Sequence, residues 1–204
     1  MLTELIDKID CNPELMMAMA EQLGQLTDYL ITDSENVSHL LRPLEMIVAS
    51  DDNVVQKKAV ESLRKVSTIL PDHIIHTEYL ELIRRLKKGD IYSMRIAACQ
   101  LYADIYARLN PEKREVVRKK FAKLVKDDTP MVRWGAAQSI TALSKHLEKE
   151  NLSAYLLPML KQLLTDSNDS VKVHAVASSI TVARLLNDSK LIAENILPAL
   201  KQAH

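Results

Sequence analysis

The sequence predicts an all-α protein built from stacked helical hairpins, and three observations predict it. Composition is the first. Only 3 of 204 residues are glycine and 47% are hydrophobic, and Leu, Ala, Ile, Val, Lys and Glu dominate, which suits helices and not strand-and-turn folds. A recurring joint is the second: Asp127-Asp128-Thr129-Pro130-Met131-Val132-Arg133-Trp134-Gly135-Ala136-Ala137. Thr129 can cap a helix there, and Pro130 suits the first helical position because its missing N–H is not needed. The third is the spacing of the joint. Val132-Arg133-Trp134-Gly135-Ala136 matches Val171-Lys172-Val173-His174-Ala175, Met94-Arg95-Ile96-Ala97-Ala98 and Val55-Gln56-Lys57-Lys58-Ala59. Ala59, Ala98, Ala136 and Ala175 fall at steps of 39, 38 and 39 residues. A fixed period near forty marks a helical solenoid of the HEAT or armadillo kind, a right-handed α-α superhelix.

The period divides the chain into about five helix pairs, A then B, and one unpaired helix. The expected repeats are 1–31, 32–70, 71–109, 110–148 and 149–187, with a partial repeat at 188–204, all in one solenoid. The first A helix runs Leu2 to Ile9. Asn12-Pro13-Glu14 then starts a B helix with Leu15, Met16, Met19, Leu23, Leu26 and Leu30 on one side. The second pair begins near Ser34, with Pro43 inside its A helix. Pro158 and Pro198 occupy the same place, 40 residues apart, so these A helices are expected to kink. Helix B follows the joint Ser50-Asp51-Asp52-Asn53 and carries Val54, Val55, Ala59, Val60, Leu63, Val66 and Ile69. The third pair spans Ile74 to Leu86 and Met94 to Leu109 around Gly89-Asp90. The fourth spans Pro111 to Val125 and Met131 to Leu147. The fifth spans Leu152 to Leu164 and Val171 to Leu186 around Asp166-Ser167-Asn168-Asp169-Ser170. Leu191 to Gln202 has no partner, so the chain reads as part of a longer solenoid, or as one whose ends find partners.

The 27 basic and 27 acidic residues balance, so no global charge points to nucleic acid or an anionic membrane. Cys11 and Cys99 lie in different repeats and read as separate thiols of a reducing compartment. No run reaches the ~18 apolar residues of a membrane helix. The N-terminus is acidic and amphipathic, unlike a secretory signal. These features point to the cytoplasm, with the nucleus also open.

The joints hold the candidate functional residues. Asp52, Asp90, Asp128 and Asp169 either cap helix B, where acids suit the dipole, or meet a partner; Asp127-Asp128 is an acid pair with one for each task. Arg95, Arg133 and Lys172 recur at one repeat position and are expected to form a ladder, each bonding the acid of a neighbouring joint. Trp134 either packs on the adjacent repeat or serves as an exposed anchor. His73 and His76 have metal-like spacing, but no ligand cluster joins them beyond Glu78. Arg84-Arg85-Leu86-Lys87-Lys88 suits a helix C-terminus. Arg114, Arg118, Lys119, Lys120 and Lys123 are expected on the solvated face of the fourth A helix. No nucleophile elbow, Gly-rich phosphate loop or zinc pattern appears, so the reading is non-enzymatic, with no cofactor and no metal.

Met19-Ala20-Glu21-Gln22-Leu23-Gly24, Lys58-Ala59-Val60-Glu61-Ser62-Leu63-Arg64, the run Asp127 to Arg133 and Asp169-Ser170-Val171-Lys172 resemble the N-terminal part of the scaffolding A subunits of protein phosphatase 2A, over essentially the whole chain. That resemblance implies an arc of HEAT repeats whose A-to-B turns receive interchangeable regulatory B-type subunits. The catalytic phosphatase subunit would bind only in a longer chain. Carried over by position, the docking ridge is Glu14, Asp51, Asp52, Asp90, Asp127, Asp128, Pro130, Arg133 and Asp169, with Ile91, Trp134 and Lys172 beside them. Trp134 stands where the family usually has a second arginine, Ile91 where it has an aromatic, and Glu81 where it has the third kink proline. The expected function is therefore a non-catalytic scaffold, with no nucleic-acid or membrane partner. A general HEAT adaptor such as a transport receptor is the alternative. A HEAT-type DNA-repair glycosylase is less favoured, because zero net charge and 4% aromatic content do not make a basic, aromatic-lined groove.

Overall fold

The computed structural model describes residues 12–30 and 36–202. The expected first helix from Leu2 to Ile9, Cys11 and the start of the second pair near Ser34 lie outside them. The architecture is all-α, with no strand among the described residues. The chain divides into two compact units, Met1–Leu101 and Tyr102–His204.

In the first unit, α1 (Pro13–Leu26) begins where the Asn12 side chain accepts the Leu15 N–H at 3.1 Å. Its buried face is Met16, Ala20, Leu23 and Gly24. Leu15 and Leu26, expected on that face, are 52% and 42% exposed. At 3.6 residues per turn they fall to either side of a stripe centred on Ala20. A 3-10 turn (Asn36–Leu40) leads into α2 (Leu41–Val48). α3 (Asn53–Ile69) packs on both α1 and α2. It buries Val55, Ala59, Val60, Leu63 and Val66, whereas Val54 is exposed. The third A segment is α4 (Asp72–Ile74), a π turn (Ile75–Tyr79) and α5 (Leu80–Lys87). α6 (Tyr92–Ile105) is its B helix.

The second unit continues with a 3-10 turn (Tyr106–Arg108), α7 (Pro111–Leu124) and α8 (Pro130–Ser144). α9 (Lys149–Asn151), a π turn (Leu152–Leu156) and α10 (Leu157–Leu164) form the next A segment. α11 (Asp169–Leu186) is the last long B helix, and it ends at Asn187, which takes the left-handed conformation with φ 45° as helix ends often do. α12 (Ser189–Leu191), a π turn (Ile192–Ile196) and α13 (Leu197–Gln202) follow.

The prolines act differently from a simple kink. Pro158 and Pro198 each sit six residues after the start of a π turn, and so does Glu81. The wide turn therefore forms with or without proline. It belongs to the repeat, and proline is tolerated where the helical ladder is already rearranged. Before Pro43 the backbone tightens into a 3-10 turn instead.

Helix B packs on helix B through small residues in both units. Ser62 Oγ donates to the Ala20 carbonyl at 2.7 Å, and Ser178 Oγ donates to the Ala137 carbonyl at 3.1 Å. These serines and alanines occupy matching repeat positions. Charge also joins A helices. Glu45 is 5% exposed, and it accepts Arg85 Nε at 2.6 Å and Nη2 at 2.8 Å while Arg42 approaches at 3.2 Å. The hydrogen bond to Glu45 is the main reason the Arg85 pKa is raised.

The closest approach gives a test. A Cβ on Gly24 would lie 2.4 Å from Ser62 Oγ and 2.9 Å from Ser62 Cβ. Gly24→Ala is expected to destabilise the first unit by about 1–3 kcal/mol through overpacking, despite the ~1 kcal/mol that alanine contributes as the better helix former. A urea unfolding midpoint equal to or above wild type would contradict this.

Candidate functional site

The joints between helices A and B share one construction, which the 39-residue period brings out. Ser50, Asp127 and Asp166 each accept the N–H two residues ahead, from Asp52 at 3.2 Å, Thr129 at 3.0 Å and Asn168 at 2.9 Å. Such bonds turn the chain locally. The cap position follows. Asp52 Oδ1 accepts the Val54 and Val55 N–H groups at 2.8 and 3.0 Å, and Asn168 Oδ1 accepts those of Ser170 and Val171 at 3.0 and 3.4 Å.

Only Asp52 among the four expected acids fills the cap. Thr129 is the cap residue of α8 but makes no side-chain cap bond, since the acceptor for this turn is Asp127, two residues earlier. Asp169 is the first residue of α11, not its cap, because Asn168 precedes it. Asp90 and Asp128 are exposed, and each offers its main-chain carbonyl to the joint.

Four residues after the cap comes the cation of the expected ladder. Arg133 meets that expectation. Its Nε and Nη2 bond Asp166 at 2.7 and 3.0 Å, while Nη1 donates to the Asp127 and Asp128 carbonyls at 2.8 and 3.1 Å. One guanidinium thus ties its own joint to the next. Arg95 Nη1 holds the Gly89 and Asp90 carbonyls at 2.8 and 2.9 Å in the same way. Lys172 does not repeat the pattern; it pairs with Asp169 at 2.8 Å in its own helix, since a compact ammonium lacks the planar fork that spans two joints. Gln56 fills the position in the second repeat. Its Nε2 donates to the Val48 carbonyl at 2.8 Å and to Ser93 Oγ at 2.6 Å. Gln56, Asp166 and Glu45 were not among the sequence candidates, although Asp166 stands 39 residues after Asp127.

Asp127, Asp128 and Arg133 line an open cleft of about 430 Å³ together with Lys126, Gln162, Thr165, Asp166 and Ser167. Pro130 is exposed at the first position of α8, and Trp134 is half-buried, edge-on to His174 with centroids 5.2 Å apart. That contact with the next repeat is the structural role weighed for Trp134. In the first unit Glu14 and Asp51 are exposed and Ile91 is half-exposed.

The expected basic face of α7 needs correction. Arg118 is 8% exposed; its Nη1 donates to Tyr106 Oη at 2.6 Å and its guanidinium lies over the Tyr155 ring at 4.8 Å. Burial raises the Tyr106 pKa, against the hydrogen bond from Arg118. Arg114 bonds Glu148 and the Ala107 carbonyl. Arg84 and Arg85 bond Glu81 and Glu45. Among the described residues no group of three His, Cys, Asp or Glu is placed to hold a metal, and no helix is long and apolar enough to cross a membrane.

The Arg133–Asp166 pair sets a pH dependence. Burial pushes the Asp166 carboxyl up, but hydrogen bonds from Arg133 and the Asn168 N–H, with the charges of Arg133 and Lys172, outweigh it and leave the pKa lowered. A lowered carboxylate stabilises the fold above its unfolded pKa of about 3.9 and loses that contribution as pH falls through the folded value. The side chains are 14% and 6% exposed, so Arg133→Ala leaves a largely buried charge unpaired. A loss of about 3 kcal/mol in the second unit is expected near pH 7. In denaturant titrations the gap from wild type should shrink below about pH 4 as Asp166 is protonated. A gap that is absent at pH 7, or constant to pH 2, would contradict the assignment.

No protein-family model matches the chain. A probable PP2A regulatory subunit of Caenorhabditis elegans is 36% identical over 191 residues, covering 92% of this chain and 32% of the relative. The protein phosphatase 2A scaffold subunit of Dictyostelium discoideum is 35% identical over 146 residues, 72% of this chain and 25% of the relative. The A-type regulatory subunit of PP2A from Schizosaccharomyces pombe is 30% identical over 198 residues, 97% of this chain and 33% of the relative. The chain thus spans a quarter to a third of the length of these relatives. Among solved structures, Cex1p superposes with TM-score 0.61 at 15% identity, over 96% of this chain and 40% of that one. An engineered protein does so with TM-score 0.53 at 17% identity, over 99% and 92%. At such identities these two show the fold alone.

Proposed function

We propose, from the premise that this chain is a relative of the protein phosphatase 2A regulatory A subunits, that it is a non-catalytic scaffold that receives a regulatory B-type subunit on its A-to-B turns. The observation that carries the reading is how charge is divided at those turns. Arg95 and Arg133 are turned inward onto joint carbonyls. Asp51, Asp90, Asp128 and Asp169 stand exposed. Each turn thereby offers an acid to a partner while its cation is used within the fold.

Acids so placed suit basic segments of a partner, and they act more on orientation and encounter rate than on raw affinity. Asp128 is the residue of choice for a test, because its exposed side chain borders the cleft that Arg133 and Asp166 hold open. Exposed Pro130 and half-buried Trp134 extend the same surface. A catalytic phosphatase subunit belongs to this reading only in a longer chain.

The experiment is capture of purified B-type subunits by wild type and by Asp128→Lys. Charge reversal is expected to slow association by about tenfold and to weaken its salt dependence, with an unchanged helical circular dichroism spectrum. Equal association rates for both proteins would remove the acidic turns from the docking surface. Failure of the wild type to capture any B-type subunit would remove the scaffold reading itself.

A further inference from the structure

The repeat itself identifies an open face of α11 as helix-binding. On α8 the corresponding face is covered by α11: Trp134 meets His174, the Ala137 carbonyl accepts from Ser178, and Thr141 Oγ1 donates to Ser178 Oγ at 3.1 Å. Thirty-nine residues on, those three positions are Val173, Val176 and Ile180. They are 65%, 37% and 57% exposed. Asp169, Ala177 and Arg184 are exposed as well. At 100° per residue all six fall within a stripe about 100° wide, the width of a core-facing helix surface.

We propose that this stripe is where two copies of the chain associate, α11 against α11, antiparallel about a twofold axis. The stripe is a palindrome. Its midpoint lies between Val176 and Ala177, and about that point Val173 mirrors Ile180 and Asp169 mirrors Arg184. An antiparallel pairing in this register sets Val173 of each copy on Ile180 of the other. It also faces Asp169 of each with Arg184 of the other. One geometry satisfies both apolar and both charged pairs twice over, which is the requirement of an isologous interface. The Ala177 side chain at the centre lets the helices approach closely. Asp169 already meets Lys172 at 2.8 Å, but its side chain remains 90% exposed, so that pair leaves the carboxylate open to a second cation.

The contact is small. From Asp169 to Arg184 the helix rises about 22 Å, and one helix pair buries less than the ~1,200 Å² of tight complexes. Association is therefore weak, reversible and sensitive to salt. It is independent of the scaffold reading, because none of its apolar residues belongs to the A-to-B turns.

Sedimentation equilibrium of the full 204-residue chain over a range of concentrations tests it. The expected result is a monomer–dimer equilibrium that Ile180→Asp weakens by at least about tenfold. Arg184→Asp alone weakens it through a like-charge contact with Asp169. The double variant Asp169→Arg with Arg184→Asp restores it, which a loss of folding could not do. All these positions are exposed, and circular dichroism checks each fold. A monomer at every concentration would overturn the proposal and leave the face to a helix of a different protein. So would a dimer indifferent to Ile180→Asp, or open-ended growth beyond the dimer, which reports a head-to-tail contact.

Discussion

The turn between helices A and B is held by one polar side chain, placed four residues after the cap of helix B and reaching back over the joint. Backbone carbonyls at the end of a helix have no partner within it, and leaving them dry and unpaired costs stability. Gln56, Arg95 and Arg133 solve this in the same way at one repeat position. Each donates to carbonyls of its own joint, and Gln56 and Arg133 extend a further bond into the next repeat of the same unit. The joint and the stacking of neighbouring hairpins thus depend on the same atoms. The serine bonds between B helices add a second tie at a fixed distance along the helix. Arg133 and Asp166 are the charged form of this device, and Gln56 with Ser93 is the neutral form.

This construction also decides what the surface can do. Cations that composition places beside acids are largely consumed inside the fold, by joint carbonyls, Glu45, or the rings of Tyr106 and Tyr155. Acids at the turns remain outside. A chain with no net charge therefore has a sorted distribution of charge. The proposed docking of a regulatory subunit draws on that sorting. The apolar stripe of α11 lies elsewhere on the second unit and serves a separate contact.

The fold was legible because its signal is periodic. Val55, Val132 and Val171, and Ala59, Ala98, Ala136 and Ala175, recur wherever helix B must be buried and approached closely, and all of them are buried. Local chemistry was less legible where two residues could serve one purpose. Thr129 has the side chain of a cap, but Asp127 already turns the chain there. Asp169 was favoured over Asn168, which makes the cap bonds. Long-range partners were invisible. Arg118 lies on an amphipathic helix among lysines and reads as solvated until Tyr106 and Tyr155, from other segments, close over it. Lys172 matched the ladder by position, but the ladder requires a guanidinium.

The most direct measurement is a double-mutant cycle on Arg133 and Asp166, using Arg133→Met, Asp166→Asn and the pair together. If one guanidinium ties successive joints, the two effects on unfolding free energy will be coupled by about 1–3 kcal/mol. If they simply add, the joints are stacked by apolar packing alone, and the central place given to the reaching side chain is wrong.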